Sequence, residues 1–106
     1  MAYDGQLAQR IRELLADAEV GDVVEKRMFG GLGFMVSGRL AIAASGQGGV
    51  MLRVDPAEGE RLLDEPHVEP FVMRGRELAG WLRVAPEGVA TREQLEPWVA
   101  RALSMA

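Results

Sequence analysis

The chain has 106 residues, of which 48% are hydrophobic and 26% are charged, and this length and balance predict a single globular domain over residues 1–106. Cysteine is absent, which excludes disulfides, thiolate nucleophiles and cysteine-based metal centres. The formal net charge of −4 gives the protein no general electrostatic attraction to nucleic acid or to anionic membranes.

An amphipathic helix is predicted near the N-terminus, ending near Gly21. Its apolar stripe, which must be buried, consists of Leu7, Ile11, Leu14, Leu15 and Ala18. Residues 23–29 then mix β-branched and apolar side chains and predict a strand that leads to Gly30 and Gly31. A glycine pair between two strands predicts a bend, because glycine allows a positive φ angle or a close approach of backbones.

A meander of antiparallel strands is predicted next. Residues 32–36 and 40–44 carry apolar side chains that alternate with period two. Ser37–Gly38 between them predicts a tight hairpin turn. After a glycine-rich break, residues 50–54 predict another strand. Short connections between consecutive strands favour antiparallel pairing.

The next part of the chain predicts a helix and two strands. Asp55 followed by Pro56 is a strong helix start, because aspartate caps the first turn and proline fits the first helical position. Strands are predicted over residues 68–73 and 80–84, with a turn at residues 74–76 between them.

The last helix is predicted to follow a capping box at residues 91–94. Its apolar face consists of Leu95, Trp98, Val99, Ala102 and Leu103. Pro97 predicts either a kink or a main helix that starts at Pro97, since an interior proline removes a backbone hydrogen bond and clashes with the preceding turn. Trp81 and Trp98 are both expected in the core, because each lies in an apolar periodic pattern.

The order of one helix, four strands, a helix, two strands and a helix favours an α+β two-layer sandwich over a doubly wound sheet. An antiparallel sheet of about six strands would be covered by three helices on one face. The opposite face also carries apolar side chains, since Met35 and Met51 alternate with Phe34 and Leu52. That face must meet water or another subunit, so a homodimer is a candidate assembly.

The run Arg27-Met28-Phe29-Gly30-Gly31-Leu32-Gly33-Phe34 resembles the hallmark segment of the N-terminal domains of the TfoX/Sxy competence regulators. The similarity extends over nearly the whole chain and is most specific for this run together with the later Gly-Trp pair. The residues that match the family signature are Arg27, Met28, Phe29, Gly30, Gly31, Gly33, Gly38, Gly80 and Trp81. For the glycine pair in this run, a structural role is favoured over a ligand site.

The resemblance implies an antiparallel α/β fold of the kind found in secretion-chaperone-like domains, and a role in gene regulation. It supplies no catalytic residue, cofactor or metal site to carry over to this chain.

No reactive centre is predicted from the residues themselves. Residues 31–36 fail as a dinucleotide fingerprint, because Val36 stands where the third glycine is needed and the segment opens a strand. His67 is the only histidine, which excludes a two-histidine metal site within one chain. No serine or threonine has a visible base. We therefore expect no enzymatic activity, and no catalytic, cofactor-binding or metal-binding residues.

The favoured hypothesis is a non-enzymatic interaction domain that binds a protein partner within transcription control. A cytoplasmic location without membrane contact is expected, because neither a signal-peptide pattern nor an apolar run of about 20 residues is present. The alternative is direct nucleic-acid binding through arginines that folding would gather, namely Arg27, Arg39, Arg53, Arg74, Arg76 and Arg83. It is not favoured, because the arginines fall singly along the chain.

Overall fold

The computed structural model describes residues 3–105 and places three helices against one face of a six-stranded antiparallel sheet. The helices are α1 (Gly5–Asp17), α2 (Pro56–Leu62) and α3 (Arg92–Leu103). The strands are β1 (Val23–Met28), β2 (Gly31–Val36), β3 (Arg39–Ala44), β4 (Val50–Arg53), β5 (Val68–Met73) and β6 (Arg76–Val84). A short 3-10 turn, Pro86–Gly88, precedes α3. The predicted fold class and order of elements are confirmed.

The strands lie side by side in the order β1-β2-β3-β4-β6-β5, and every neighbouring pair is antiparallel. The predicted three-stranded meander is formed by β2, β3 and β4, and β1 extends it to four strands. β6 then separates β4 from β5, so β1 and β5 are the two edges of the sheet. No helix among residues 3–105 has the length and apolarity that crossing a membrane requires.

Three hairpins turn through two residues that both have positive φ angles, namely Phe29–Gly30, Ser37–Gly38 and Arg74–Gly75. This is the type I′ pattern, whose twist matches that of the flanking strands. The turn at Ser37–Gly38 lies where it was predicted. The first turn comes one residue earlier than the predicted glycine bend, because Gly31 is already the first residue of β2.

The core lies between the helices and the sheet, and all of its buried members in the described chain are apolar. α1 contributes Leu7, Ala8, Ile11, Leu14 and Leu15. Ala18, which was predicted on the same stripe, is exposed because α1 ends at Asp17. α3 contributes Leu95, Trp98, Val99 and Ala102, so the predicted core position of Trp98 is confirmed.

α3 runs through Pro97 as one helix, so a separate helix start at Pro97 is wrong. The predicted capping box forms: Thr91 Oγ1 accepts from the Gln94 backbone N–H at 3.1 Å, and Gln94 Oε1 accepts from the Thr91 backbone N–H at 3.1 Å. Leu95 and Trp98 are buried on either side of the exposed proline. Their packing and the cap together offset the local cost of an interior proline.

β6 begins at Arg76, earlier than the start at Gly80 that the sequence pattern predicted. Its register against β5 shifts between Pro70 and Val72, so β6 bulges there. Gly80 lies in this bulge with a φ of +84°, and its carbonyl accepts from the Val54 N–H at 2.8 Å. Extra residues at a bulge break the period-two pattern, which explains why the first half of β6 was missed.

An ion pair ties α1 to the edge strand β1. The Nε and Nη2 atoms of Arg12 donate to the two carboxylate oxygens of Glu25 at 2.5 and 2.7 Å. This hydrogen bonding lowers the pKa of Glu25 below its ordinary value of 4.5. Because the folded state has the lower pKa, the pair stabilises the fold above the ordinary pKa of glutamate. The contribution is lost as the pH falls through the lowered value.

Replacing Glu25 with glutamine is expected to cost about 0.5–1 kcal/mol of unfolding free energy at neutral pH, since the pair is bidentate but partly exposed. The difference from the wild type should shrink as the pH falls below 4.5. Urea unfolding at a series of pH values measures it. Glu60→Gln, at an exposed position on α2, is the matched control. A Glu25→Gln difference that does not change with pH would contradict the ion-pair explanation.

Candidate interaction surface

The face of the sheet opposite the helices is the candidate site, and we call it the open face. Strand register and alternation assign it the side chains of Val24, Lys26 and Met28 on β1, Gly33 and Met35 on β2, Leu40 and Ala43 on β3, Met51 and Arg53 on β4, Glu69, Phe71 and Met73 on β5, and Arg76, Trp81 and Arg83 on β6. Phe34 and Leu52 point to the core instead, as the alternation predicted.

The open face is rich in methionine, contributed by Met28, Met35, Met51 and Met73. Methionine is unbranched and polarisable, so it adapts to irregular apolar partners. At the centre of this face, Ala43 and Met51 are only 3% and 6% exposed although neither belongs to the helix-side core cluster.

Gly33 on the same face is also buried. A Cβ atom built on Gly33 would lie 2.9 Å from Leu40 Cδ1 and 2.9 Å from Met28 Sδ. The side chains of Met28 and Leu40 therefore close over the backbone of Gly33, where any other residue would push them apart. This glycine lets the open face carry a continuous apolar surface.

A groove of about 300 Å³ lies at the end of the open face next to the first hairpin turn. Its walls include Phe29, Gln47, Met51, Phe71, Met73 and Arg83. Phe29 is 67% exposed, which is a large exposure for an aromatic side chain. An exposed ring therefore stands at the rim of a largely apolar hollow.

Several polar groups of this groove are engaged within the fold. Arg83 donates from Nη1 to Glu69 Oε1 at 3.2 Å and from Nη2 to the Gly48 carbonyl at 3.1 Å. Ser45 Oγ accepts from the Gln47 N–H at 3.1 Å and so stabilises the loop between β3 and β4. The groove thus offers mainly apolar contacts. Among residues 3–105, no three His, Cys, Asp or Glu side chains cluster as a metal site would require.

Four signature glycines occupy positions where the backbone makes a special demand. Gly30 and Gly38 are the second residues of type I′ turns, with φ angles of +75° and +83°. Gly31 lies so close to β3 that an added Cβ would be 2.2 Å from the Ala44 carbonyl oxygen. Gly80 has the positive φ angle of the β6 bulge.

The remaining signature residues are divided between the two faces. Met28, Gly33 and Trp81 belong to the open face, and Phe29 stands at its rim. Arg27 lies opposite Leu32 and so points to the helix side of β1. Some signature residues therefore meet requirements of the backbone, and others form the open face.

The predicted core position of Trp81 is wrong. Trp81 is half-buried on the open face, where the Arg53 guanidinium lies 5.9 Å from its ring centroid. Leu82 and Val84 are the core residues of this strand, so alternation places Trp81 and Arg83 on the other side. The presence of Arg83 two residues later was the sequence signal that could have shown this.

The arginines of the nucleic-acid alternative are not brought to one surface. Arg53 and Arg83 lie on the open face, and Arg27 and Arg39 lie at opposite ends of the helix side of β1 and β3. Arg76 also belongs to the open face, at the hairpin end of β6 opposite Met73, and Arg74 lies in the turn between β5 and β6. Three of the six arginines therefore share one face, and the other three do not. Phosphate-binding surfaces gather such cations on one face or stripe.

One known family model matches nearly the whole chain. The family model of the TfoX N-terminal domain matches residues 13–106, a stretch that includes the whole sheet and every signature residue. No curated protein and no solved structure matches the chain. The chain belongs to the TfoX N-terminal domain family.

Proposed function

We propose that this chain is a non-enzymatic regulatory domain that acts in the cytoplasm through protein–protein contacts, and that the open face makes those contacts. The observation that carries the proposal is a sheet face lined by methionine and aromatic side chains, with Phe29 exposed at its rim. Apolar surface of this kind marks interaction sites in soluble proteins. Membership of the TfoX N-terminal domain family supports a role in transcription control.

A protein partner fits this surface better than nucleic acid does. Arg83 is held by Glu69 and by the Gly48 carbonyl, and Arg53 lies over the ring of Trp81. Two cations of the open face are therefore already engaged, while its exposed apolar side chains are unpartnered. Lys26 on β1 and Arg76 on β6 form no ion pair in the described part of the chain, but they lie on different strands and do not form a cluster. Binding to a phosphate backbone would instead depend on free cations.

Replacing Phe29 with asparagine tests the proposed protein contact while leaving the fold intact. Asn-Gly is the preferred pair for a type I′ turn, so the variant should keep or slightly raise the melting temperature. It removes the exposed ring, so we expect it to lose the protein contact. Transcript profiles of cells that encode the variant should shift in the same direction as profiles of cells that lack the gene.

The matched control is Ser37→Asn, which makes the same replacement at the first position of another type I′ turn, at the far end of the sheet. It should leave the transcript profile unchanged. In parallel, a photo-crosslinking phenylalanine analogue at position 29 should form protein adducts, while the analogue at exposed Leu63, the residue that follows α2, should not. A wild-type profile and equal adducts at both positions would contradict the proposal.

A further inference from the structure

One row of side chains crosses the whole open face. Each member lies directly opposite the next in the strand pairing, in the order Lys26, Gly33, Ala43, Met51, Arg83 and Glu69. The row begins with a cation on β1 and ends with a carboxylate on β5. Its centre is small or apolar, so another surface can approach it closely. The two edges of the face thus carry charges of opposite sign.

The charges at the ends of this row are accessible. Lys26 is exposed, and it forms no ion pair within the described part of the chain. Glu69 accepts one hydrogen bond from Arg83, yet its side chain remains 59% exposed. Lys26 and Glu69 can therefore each take a further partner of opposite charge.

Neither edge of the sheet favours the addition of a further strand. β1 carries three consecutive charged residues, Glu25–Arg27, and β5 contains Pro70, which has no N–H to donate. Charges and proline are the features by which edge strands resist pairing with another chain. A partner that covers the apolar surface must therefore pack face to face.

We propose that the open face is covered by the open face of a second copy of this chain, related by a two-fold axis that runs parallel to the strands between β3 and β4. Such an axis exchanges the two edges of the sheet, so Lys26 of each copy lies over Glu69 of the other. An axis perpendicular to the strands would instead place Lys26 over Lys26, and like charges would repel. The inference rests on the proposed function, since it names the protein that the open face contacts.

The groove supports the same axis. Phe29 stands on the β1 side of the face, and most of the groove wall belongs to β5 and β6. Phe29 is also a wall of the groove in its own copy, and exchange of the edges brings the exposed Phe29 ring of each copy over the β5 and β6 wall of the other copy's groove. A projecting ring and an apolar hollow on one surface are complementary when that surface packs against itself.

The open face is large enough for such a contact. Six strands about 4.8 Å apart span roughly 24 Å, and a strand of six residues spans about 20 Å. The projected area of about 500 Å² per copy, or about 1,000 Å² for the two copies together, reaches the lower bound for a specific protein–protein interface.

Charge reversal at the two ends of the row tests the arrangement. Sedimentation equilibrium should give a dimer for the wild type. Lys26→Glu and Glu69→Lys should each raise the dimer dissociation constant about tenfold or more, because each creates two like-charge contacts per dimer. The double variant should return to within about threefold of the wild type, and so should an equimolar mixture of the two single variants. Arg27→Glu makes the same charge change on the helix side of β1 and should leave the constant unchanged.

A wild type that stays monomeric at millimolar concentration overturns the inference. The inference is also overturned if the dissociation constants of both single variants are unchanged, like that of Arg27→Glu. It is overturned as well if the double variant and the mixture both keep the raised dissociation constant of the single variants. Failure of the proposed function is recognisable separately. If the protein is a monomer but the crosslinks from position 29 contain a different protein, the proposed function is supported and the dimer is not. If the protein dimerises with these charge effects but Phe29→Asn leaves the transcript profile unchanged, the dimer is supported and the proposed function is not.

Discussion

Replacing Gly31 with alanine is expected to destabilise the protein by about 3 kcal/mol or more, the largest effect of any small substitution in the signature. The added Cβ would lie 2.2 Å from the Ala44 carbonyl oxygen and 3.0 Å from the Gly46 nitrogen. Both are backbone atoms, so no flexible side chain can move aside, and the start of β2 must separate from the end of β3. A loss of this size lowers the melting temperature by more than about 10 °C in a domain of this length.

Two other glycines serve as controls for this experiment. Gly30→Ala meets no atom within 4 Å but must adopt a φ of +75°, so it should cost only about 1–2 kcal/mol. Gly21→Ala meets neither obstacle and should change the unfolding free energy by no more than about 0.5 kcal/mol. Equal losses for Gly31→Ala and Gly30→Ala would show that φ strain, and not close approach, explains both positions.

Replacing Phe34 with alanine is expected to cost about 3–5 kcal/mol of unfolding free energy, because the ring is fully buried between the sheet and the helices. The adjacent residue, Met35, points to the open face and is half-buried. Met35→Ala should therefore cost only about 1 kcal/mol in the monomer. Denaturant unfolding at low protein concentration measures both values. Similar losses for the two variants would contradict the assignment of the core to the helix side.

Local sequence signals predicted the elements that depend on neighbouring residues. Period-two alternation located β2 and β3, and an X-Gly pair located the turn at Ser37–Gly38. The cap at Thr91 located the start of α3. Each of these signals acts within a few residues, so no tertiary information was needed.

The errors occurred where distant contacts override local preference. Pro97 is tolerated because Leu95 and Trp98 are buried on either side of it. The first half of β6 was missed because its bulge at Gly80 is held by a hydrogen bond from Val54. Neither contact has a signature in the local sequence.

The candidate surface could be predicted only in part. The alternation showed that Met35 and Met51 point away from the helices, but not that β6 lies between β4 and β5. The position of Glu69 at the edge opposite Lys26 follows from that strand order. It cannot be deduced from charge patterns along the chain, because the two residues are brought into one row only by the register of five strand pairs.

The strand order also has a consequence for how the domain folds. The hairpins β1–β2, β2–β3 and β5–β6 close two-residue turns, whereas pairing β4 with β6 must first close residues 54–80 into a loop. Closing a longer loop costs more chain entropy, so we expect that pairing to form late. The open face would then exist only once the domain is complete. Partly folded chains, including those still on the ribosome, would lack the assembled face and so could not associate through it prematurely.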